Sequence, residues 1–409
     1  MPPLVSRPAT PPGPPPAADF GHRGHAALRE AFTPTQPQRN PRRLAGRTSE
    51  LALIVQAVSY NRAHVVLYGD RGRGKTSLVN LVAAAARTAG YMVGRYACSH
   101  GSDFDEIIRG LVRDLPKPFL SLPAVDDPGL EGCEAALPQR PLHPRDVALL
   151  PGRLSGRRLV LIVDEFDRVA DSDTRTRLAD TIKQVSDRGA RLSIVVVGVS
   201  DSLEELLGRH PSIQRNIIGV HLPLLSDYEV KEILAAGARH AGIEYPAHIQ
   251  EGIAALARGV PYIAHLLGLH AGENALQRRA AVVTNADLRA AIARARLEID
   301  PRVAVTFAEL TRDGQDRQVQ ALLEAIAAAG HDLFGRFAVQ EVDGAVRIGG
   351  RVIEPEPWAR LGAAGVVRRC HHAGFGLYTF AEPMLLHYIL LNVAASAEPA
   401  VLRATEPVA

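Results

Sequence analysis

The chain has 409 residues, a formal net charge of +3 and a hydrophobic fraction of 46%. This length predicts two or three domains, each with enough apolar residues to form a core. The only cysteines, Cys98, Cys133 and Cys370, lie far apart without a C-x-x-C pair, which excludes a thiolate zinc site and a disulfide framework. The sequence has neither an apolar run of membrane-spanning length nor a signal-peptide core, so we expect a cytoplasmic protein.

Residues 1–41 form a proline-rich segment that holds eleven of the 29 prolines. Such a segment has little apolar surface to bury, so it predicts a disordered tail with local polyproline II conformation. Residues 42–224 are predicted to form an α/β domain, and apolar residues at helical spacing over 50–60 predict a helix ahead of its first strand. A second disordered tail is expected at 396–409.

A glycine-rich segment follows a predicted strand at residues 64–68 and precedes a helix with apolar spacing. It fits G-x-x-x-x-G-K-[ST] at every fixed position, and the predicted nucleotide-binding residues within it are Gly69, Asp70, Arg71, Gly72, Arg73, Gly74, Lys75, Thr76 and the following Ser77. The glycines allow a tight turn whose N–H groups face an anion, and the helix adds its positive dipole end. We therefore expect a phosphate-binding loop in which Lys75 reaches the β- and γ-phosphates and Thr76 coordinates Mg²⁺.

A second apolar run, residues 159–163, ends in the adjacent carboxylates Asp164 and Glu165. This is the composition of a central parallel strand, whose carboxyl end commonly meets a ligand. Asp164 is predicted to hold Mg²⁺ through its water shell, and Glu165 to orient and deprotonate the attacking water. The alternative is a strand end followed by a solvated acidic turn.

A third apolar strand over 192–199 is followed by Ser200, Asp201 and Ser202. If this strand lies beside the acidic one, Ser200 is a candidate for positioning the lytic water near the γ-phosphate. Serine and aspartate after a strand are also common helix caps, here for a helix beginning at Leu203. Both interpretations remain open.

Together these motifs resemble the AAA+ ATPases, most of all the branch of origin-recognition and STAND-type signalling ATPases. The resemblance covers about residues 42–300 and extends weakly to about 392; its further motifs are Leu44-Ala45-Gly46-Arg47, Asp164-Glu165-Phe166-Asp167-Arg168, His210-Pro211-Ser212-Ile213-Gln214-Arg215 and Gly259-Val260-Pro261. It implies that Gly46 and Arg47 frame an adenine pocket. It also implies that Arg215, with Arg209 as its rival, reaches the γ-phosphate bound by a neighbouring copy.

Residues 225–300 are predicted to form an α-helical lid, with helix starts at Ser226-Asp227 and at Asn285. Many relatives in the resembled family carry a second sensor arginine directly after the proline of Gly259-Val260-Pro261, where this chain has Tyr262. This departure favours nucleotide binding over fast, lid-coupled hydrolysis.

A second proline-rich stretch runs from about residue 114 to residue 152. It is too long for a plain loop in a compact domain, and loops of this length are commonly functional or disordered. We expect an insertion within the α/β domain that carries a partner-specific function.

Residues 301–395 are predicted to contain helices followed by a hairpin over 366–380, which resembles the winged-helix domain that ends many relatives. Some of those relatives bind DNA through it. Residues 301–409 contain ten arginines and no lysine against twelve acidic residues, whereas DNA binding favours a clearly positive face. Protein contacts or autoinhibition, and DNA contact near Arg368 and Arg369, are the open alternatives.

The predicted fold is a parallel-sheet P-loop core followed by an all-α lid and a winged-helix-like domain. Two functions follow, both with ATP and Mg²⁺ as ligands. In the first, hydrolysis resets an assembly of copies that self-associate through Arg215. In the second, bound ATP holds the lid closed around a protein or DNA contact, and slow hydrolysis is only a timer.

Overall fold

The computed structural model describes residues 20–35, 46–116, 132–154, 157–200, 202–208, 213–312, 316–342, 345–370 and 376–396. The chain divides into two compact units. The core unit is Gln36–Leu224, and the second unit combines Met1–Thr35 with Leu225–Ala409.

The core unit alternates strands and helices along the chain. Its elements are α2 (Thr48–Gln56), β1 (His64–Tyr68), α3 (Lys75–Thr88), β2 (Met92–Ala97), α4 (Phe104–Arg113), α5 (Pro144–Arg153), β3 (Leu159–Asp164), α6 (Ser172–Asp187), β4 (Leu192–Gly198), α7 (Leu203–Leu207) and β5 (Ile217–His221). A π-helical turn, Ala57–Asn61, extends α2 toward β1, so the predicted helix over 50–60 is present. Helix α1 (His22–Ala31) precedes them in sequence and belongs to the second unit.

The five strands form one parallel sheet in the order β2-β3-β4-β1-β5. Strands β3 and β4 are buried along their whole length, as expected for central strands made of apolar, β-branched residues. Strand β4 lies between β1 and β3. The predicted phosphate loop follows β1 and the predicted acids end β3, so a single strand separates the two strands that carry them.

Alternate residues of each strand point to opposite faces, and each face has its own apolar core. Helix α3 covers one face together with α2, packing against Val160, Ile162 and Val195. Helices α4, α5 and α6 cover the other face, packing against Leu161, Val163 and others of the opposite parity. The core unit is therefore a sheet between two helical layers.

The predicted insertion is only partly an insertion. Residues 117–131 lie outside the described residues, whereas 132–154 contain a short 3₁₀ turn and α5, with Leu142, Val147 and Leu150 buried in the core. Helix α5 was not predicted within this proline-rich stretch, where Pro144 occupies the first helical position, a position at which proline is favourable.

The second unit is helical, with one antiparallel sheet. Its elements after α1 are α8 (Asp227–Ala241), α9 (Ala247–Ala257), α10 (Pro261–Gln277), α11 (Asn285–Glu298), α12 (Pro301–Leu310), α13 (Asp316–Ala328), β6 (Phe337–Val342), β7 (Ala345–Ile348), β8 (Arg351–Ile353), α14 (Pro355–Ala363), β9 (Val367–Arg369), β10 (Leu377–Phe380) and α15 (Met384–Ser396). Both predicted helix starts are present, since Ser226 and Thr284 cap α8 and α11 with the acid of each first turn completing a capping box.

Helix α1 corrects the prediction that all of residues 1–41 form a disordered tail. Its Leu28 and the following Phe32 are buried against α8 and α10, and Arg29 forms an ion pair with the buried Glu273 of α10. Residues 1–19 and 36–41 of that segment, like residues 42–45 and 397–409, lie outside the described part of the chain.

The antiparallel sheet has the order β8-β7-β6-β10-β9. The predicted hairpin is its β9 and β10 pair, whereas the three-stranded meander of β6, β7 and β8 was not predicted. Arg368 and Arg369 lie on β9, and residues 371–375 fall outside the described residues. Across the described ranges, no helix combines the length and the apolar composition that crossing a membrane requires.

Candidate nucleotide-binding site

The glycine-rich loop connects β1 to α3 as predicted. Gly69, Gly72 and Gly74 all have positive φ, at 138°, 82° and 88°, a region that side-chain-bearing residues rarely occupy. A Cβ atom on Gly69 would lie 3.1 Å from the Leu222 carbonyl oxygen. The glycines are thus required by backbone conformation, and at Gly69 also by close packing against the end of β5.

Lys75 is the first residue of α3 and is buried at the turn. Its Nζ donates hydrogen bonds to the carbonyl oxygens of Gly69 and Asp70, both at 2.7 Å. Burial lowers the pKa of Lys75 to about 8, while the carboxylates of Asp70, Asp167 and Asp164 act in the opposite direction. The charge of the Lys75 ammonium group therefore interacts with that of Asp164, the predicted magnesium-binding acid.

Two buried arginines connect the loop to the chain segment that follows β5. Arg73 donates to the Leu222 carbonyl at 3.1 Å and pairs with the Asp70 carboxylate. Arg47 donates to the Arg73 carbonyl at 3.4 Å, to the Pro223 carbonyl at 2.5 Å and to the Glu50 carboxylate at 3.0 Å. Both guanidinium groups are thus engaged with protein groups that hold the loop against the chain after β5.

The remaining predicted nucleotide-binding residues lie in two places, the turn into α2 and the glycine-rich loop with the first turn of α3. Gly46 and Arg47 both have positive φ, at 72° and 66°, and form the turn into α2. Arg71 is exposed at the tip of the loop, while Thr76 and Ser77 are half-buried in the first turn of α3. The N–H groups of a first helical turn have no acceptor within the helix, so this turn can receive an anion.

Asp164 is the last residue of β3, and its side chain is only 4% exposed. Its Oδ1 accepts from the Glu165 N–H at 2.9 Å, and its Oδ2 accepts from the Arg95 Nη2 at 2.5 Å. Arg95 lies on the neighbouring strand β2 and also donates to the Asn80 side chain of α3. These three residues form a polar cluster at the carboxyl end of the sheet.

Glu165 has a φ of 54°, in the left-handed region, which costs a non-glycine residue on the order of 1–2 kcal/mol. Its side chain is half exposed and pairs with Arg168 at 2.8 Å. An exposed pair of this kind contributes little to stability, so Arg168 does not fix the carboxylate strongly. Glu165 therefore combines an uncommon backbone conformation with an accessible carboxylate beside Asp164.

Asp167 ties the acidic turn to β4, since its Oδ1 accepts from the Val199 N–H at 2.8 Å. A Cβ atom on Gly198 would lie 3.1 Å from the same oxygen, so the approach requires glycine there. The same acids affect Cys98, which directly follows β2. Burial is the largest cause that raises the pKa of its thiol to about 12, and the negative charges of Asp164, Glu165 and Asp167 add to it. Cys98 is thus a neutral thiol at physiological pH.

Ser200 follows β4 and is buried beside the acidic strand, as the sequence predicts. Its Oγ lies 2.6 Å from the Ser202 carbonyl and 2.7 Å from the Glu205 carboxylate, which are alternative acceptors for its single proton. Ser202 caps α7. The hydroxyl of Ser200 is therefore part of the α7 capping network, which was one of the two open interpretations.

Arg215 lies in a 3₁₀ turn just before β5 and is exposed, and its guanidinium has no hydrogen bond or ion pair with any residue that the structure describes. Its rival Arg209 lies outside the described residues. Tyr262 stands in the first turn of α10, in the second unit, and donates to the Glu298 carbonyl at 3.5 Å.

The sequence did not indicate Arg95, Asn80 or the supporting contact of Asp167. A charged residue inside the otherwise apolar strand β2 was the one available signal, since an arginine in a strand next to the acidic strand requires a partner. Asn80 carried no signal, because an asparagine in a helix is ordinary.

Comparison with known proteins agrees with this geometry. Residues 43–197 match the sequence model of the AAA ATPase domain. The ORC2 protein of Aeropyrum pernix, solved in ADPNP and ADP complexes, has a TM-score of 0.51 at 16% identity, covering 90% of this chain and 98% of that one. The Walker-type ATPase of Pyrococcus abyssi has a TM-score of 0.51 at 18% identity, covering 88% and 99%. A comparison with curated proteins gives no significant match.

At these identities the similarity to solved structures shows the fold alone. Residues 43–197 thus match the AAA ATPase domain in sequence, and the fold of the chain is a P-loop AAA+ core followed by C-terminal helices and an antiparallel sheet. The predicted fold class is confirmed in its parallel-sheet core, and a C-terminal domain is present.

Proposed function

We propose that this protein binds ATP with Mg²⁺ and hydrolyses it, and that the nucleotide state drives rearrangement of residues 225–396 and assembly of copies. The observation that carries the proposal is that Lys75, at the glycine turn after β1, and Asp164, at the carboxyl end of β3, lie at the same end of a parallel sheet with only β4 between their strands. A cation, the N–H groups of a helical first turn and carboxylates at one end of the sheet are the components that phosphoryl transfer requires.

The loop supplies the binding part of this function. In the structure Lys75 donates to two loop carbonyls, which a triphosphate replaces with stronger, charge-assisted acceptors. N–H groups of the loop and of the first turn of α3 receive the β- and γ-phosphates. Gly46 and Arg47, at the turn into α2, frame the adenine.

Residues for a metal ion are also present. The Thr76 hydroxyl is half-buried without a hydrogen-bond partner among the described residues, and Asp164 offers a buried carboxylate, so both donors are the hard oxygens that Mg²⁺ prefers. When bound, the ion neutralises developing charge on the phosphate oxygens. Thr76 and Asp164 hold and orient it in this proposal.

Glu165 acts as the general base. Its carboxylate is accessible, adjoins Asp164 and is held only by an exposed arginine, so it is free to accept a proton from water. Ser200 has a supporting role, since its hydroxyl orients the loop after β4 through the α7 cap, beside the strand that ends in Asp164.

A hydrolysis assay with three variants tests the proposal. Lys75→Ala should abolish nucleotide binding, and Glu165→Gln should retain binding while turnover falls by about 10²–10⁴-fold, the usual effect of losing a general base. Lys183→Ala and Glu309→Gln are matched controls, because both residues are exposed and belong to none of the predicted motifs. Wild-type turnover in Glu165→Gln would refute the role of Glu165, and unchanged binding in Lys75→Ala would refute the site.

A second function, a nucleotide-gated binding module with slow hydrolysis, is favoured by one observation. Tyr262 stands where many members of the resembled family have an arginine, and its hydroxyl donates to the Glu298 carbonyl within the helical unit. A neutral side chain there supplies no charge to the γ-phosphate. Under this alternative, the wild-type enzyme binds ATP tightly but turns it over at nearly the rate of Glu165→Gln.

Partners follow from the same residues. Arg215 is exposed and has no partner among the described residues, as expected if it reaches a neighbouring copy. Residues 301–395, proposed as a winged-helix-like domain, present a protein contact in preference to DNA because they lack a clear positive excess. An assay with and without double-stranded DNA distinguishes the two. A cytoplasmic location remains a prediction.

A further inference from the structure

Resting on the function proposed above, we propose that Arg95 is a positioning residue that competes with magnesium for Asp164 and so sets the Mg²⁺ concentration at which nucleotide binds. Arg95 is absent from the sequence motifs, and its contact joins β2 to the last residue of β3.

The strand register explains why Arg95 reaches Asp164. Ala97 pairs with Asp164 and Arg95 pairs with Ile162, so residues 95 and 97 of β2 share a sheet face with residues 162 and 164 of β3. That face is the one covered by α3, whose Asn80 also accepts from Arg95. The guanidinium is therefore held between the strand that carries the acid and the helix that begins with Lys75.

Burial makes this contact energetically important. The Asp164 side chain is 4% exposed, and a carboxylate so deeply buried requires a cation or several hydrogen-bond donors. Lys75, whose charge interacts with that of Asp164, donates its hydrogen bonds to loop carbonyls. Arg95 supplies the direct ion pair to Asp164.

The Asp164 carboxylate cannot bind Arg95 and a magnesium ion at full strength through the same oxygen. Oδ2 of Asp164 accepts from Arg95, and Oδ1 accepts from the Glu165 N–H, so both carboxylate oxygens are occupied by protein donors. A magnesium ion or its water shell must therefore displace or share the guanidinium. The Arg95 side chain is 29% exposed, so it has access to solvent when it leaves.

The test measures binding of a fluorescent, non-hydrolysable ATP analogue as the Mg²⁺ concentration is raised. In Arg95→Met the half-saturating Mg²⁺ concentration should fall by about tenfold, a common size for changes next to a ligand carboxylate. Arg95→Lys, which keeps a cation, should stay near the wild-type value. Arg188→Met is the matched control, because Arg188 is exposed at the end of α6, which leads to the amino end of β4, whereas Asp164 lies at the carboxyl end of β3.

A second measurement reads stability and needs no turnover. The thermal unfolding midpoint of Arg95→Met without nucleotide should lie below that of wild type, because Asp164 loses its partner, and saturating Mg²⁺ and analogue should close most of the difference. In an Asp164→Asn background, Arg95→Met should no longer change the half-saturating Mg²⁺ concentration. If Arg95→Met does not fold, Arg95→Gln carries the test with the same expected direction.

An unchanged or raised Mg²⁺ requirement in the folded variant would overturn the proposal, because Arg95 would then be a mere support of Asp164. That result leaves the proposed function intact as long as the wild type binds the analogue and Lys75→Ala does not. Failure of the wild type to bind at any Mg²⁺ concentration would overturn both.

Discussion

Lys75 shows how one residue combines a sequence motif with a buried environment. The ammonium group is held by two loop carbonyls, and burial lowers its pKa to about 8 despite three nearby carboxylates. A triphosphate adds negative charge next to it, which favours the protonated form and raises the pKa in the bound state. Proton binding and nucleotide binding are therefore linked at this residue.

This linkage predicts the pH dependence of binding. Below about pH 8 Lys75 is protonated with or without ligand, so affinity for ATP is constant, whereas above that pH the free protein loses the proton first and affinity falls by up to about tenfold per pH unit. Titration calorimetry in buffers of different ionisation enthalpy should detect proton uptake on binding near pH 9. An affinity that is flat up to about pH 10 would contradict the assignment.

At the scale of elements, the docking of α1 depends on three glycines of the second unit. A Cβ atom would lie 2.1 Å from the Phe32 ring at Gly237 of α8, 2.6 Å from it at Gly268 of α10, and 2.8 Å from Leu28 at Gly272. Leu28 and Phe32 are four residues apart, as are Gly268 and Gly272, so one ridge of α1 fits a groove of α10. Arg29 adds an ion pair with Glu273.

Filling this groove should destabilise the second unit. Gly237→Ala brings the new methyl into the Phe32 ring, so we expect a loss of about 1–3 kcal/mol, as for overpacked cores, instead of the gain of up to about 1 kcal/mol that alanine brings at an open helix position. Gly362→Ala in α14 is the matched control, because nothing lies within 4 Å of its Cβ position. Equal effects of the two variants on denaturant unfolding would refute the packing argument.

Removing the side chain that fills the groove is a separate test. Phe32→Ala deletes a ring that is 1% exposed, so the unfolding free energy should fall by about 3–5 kcal/mol. Phe20→Ala, at a residue 40% exposed, should have little effect. A small effect of Phe32→Ala in urea unfolding would show that α1 is not an integral part of the second unit.

At the scale of the whole molecule, polar contacts connect α9 to the helices α13 and α15 of the second unit. Arg258, at the end of α9, donates to the carbonyl of Ala327 in the last turn of α13 at 2.8 Å and to that of Ala329, just after α13, at 3.0 Å. His387 of α15 contacts the Leu256 carbonyl at 3.1 Å. Since Arg258 directly precedes Gly259-Val260-Pro261, that motif adjoins the contacts that hold α13 and α15 against α9.

The proposed assembly predicts complementation between two inactive variants. Arg215→Ala keeps its own loop, and Lys75→Ala keeps its Arg215, so a mixture should recover part of the hydrolysis that each lacks if the arginine acts across copies. Arg188→Ala, at another exposed arginine, should hydrolyse ATP as wild type does. No recovery at any mixing ratio would exclude a role of Arg215 in a neighbouring site.

The sequence by itself determined the features that depend on residues adjacent in the chain. The turn at Gly69, Gly72 and Gly74 follows from the conformations that glycine allows, and the central strands β3 and β4 follow from uninterrupted apolar runs. The caps at Ser226 and Thr284 are equally local. In each case a few neighbouring residues supply both the cause and the structure.

The tertiary structure alone decided which distant residues meet. The placement of β4 between β1 and β3, the contact of Arg95 with Asp164 across 69 residues and the fit of Phe32 against Gly237 all depend on strand register and helix packing. The stabilisation comes from burying charges and rings against partners that no local pattern specifies. For this reason the acid at the end of β3 was predictable, whereas the arginine that holds it was not.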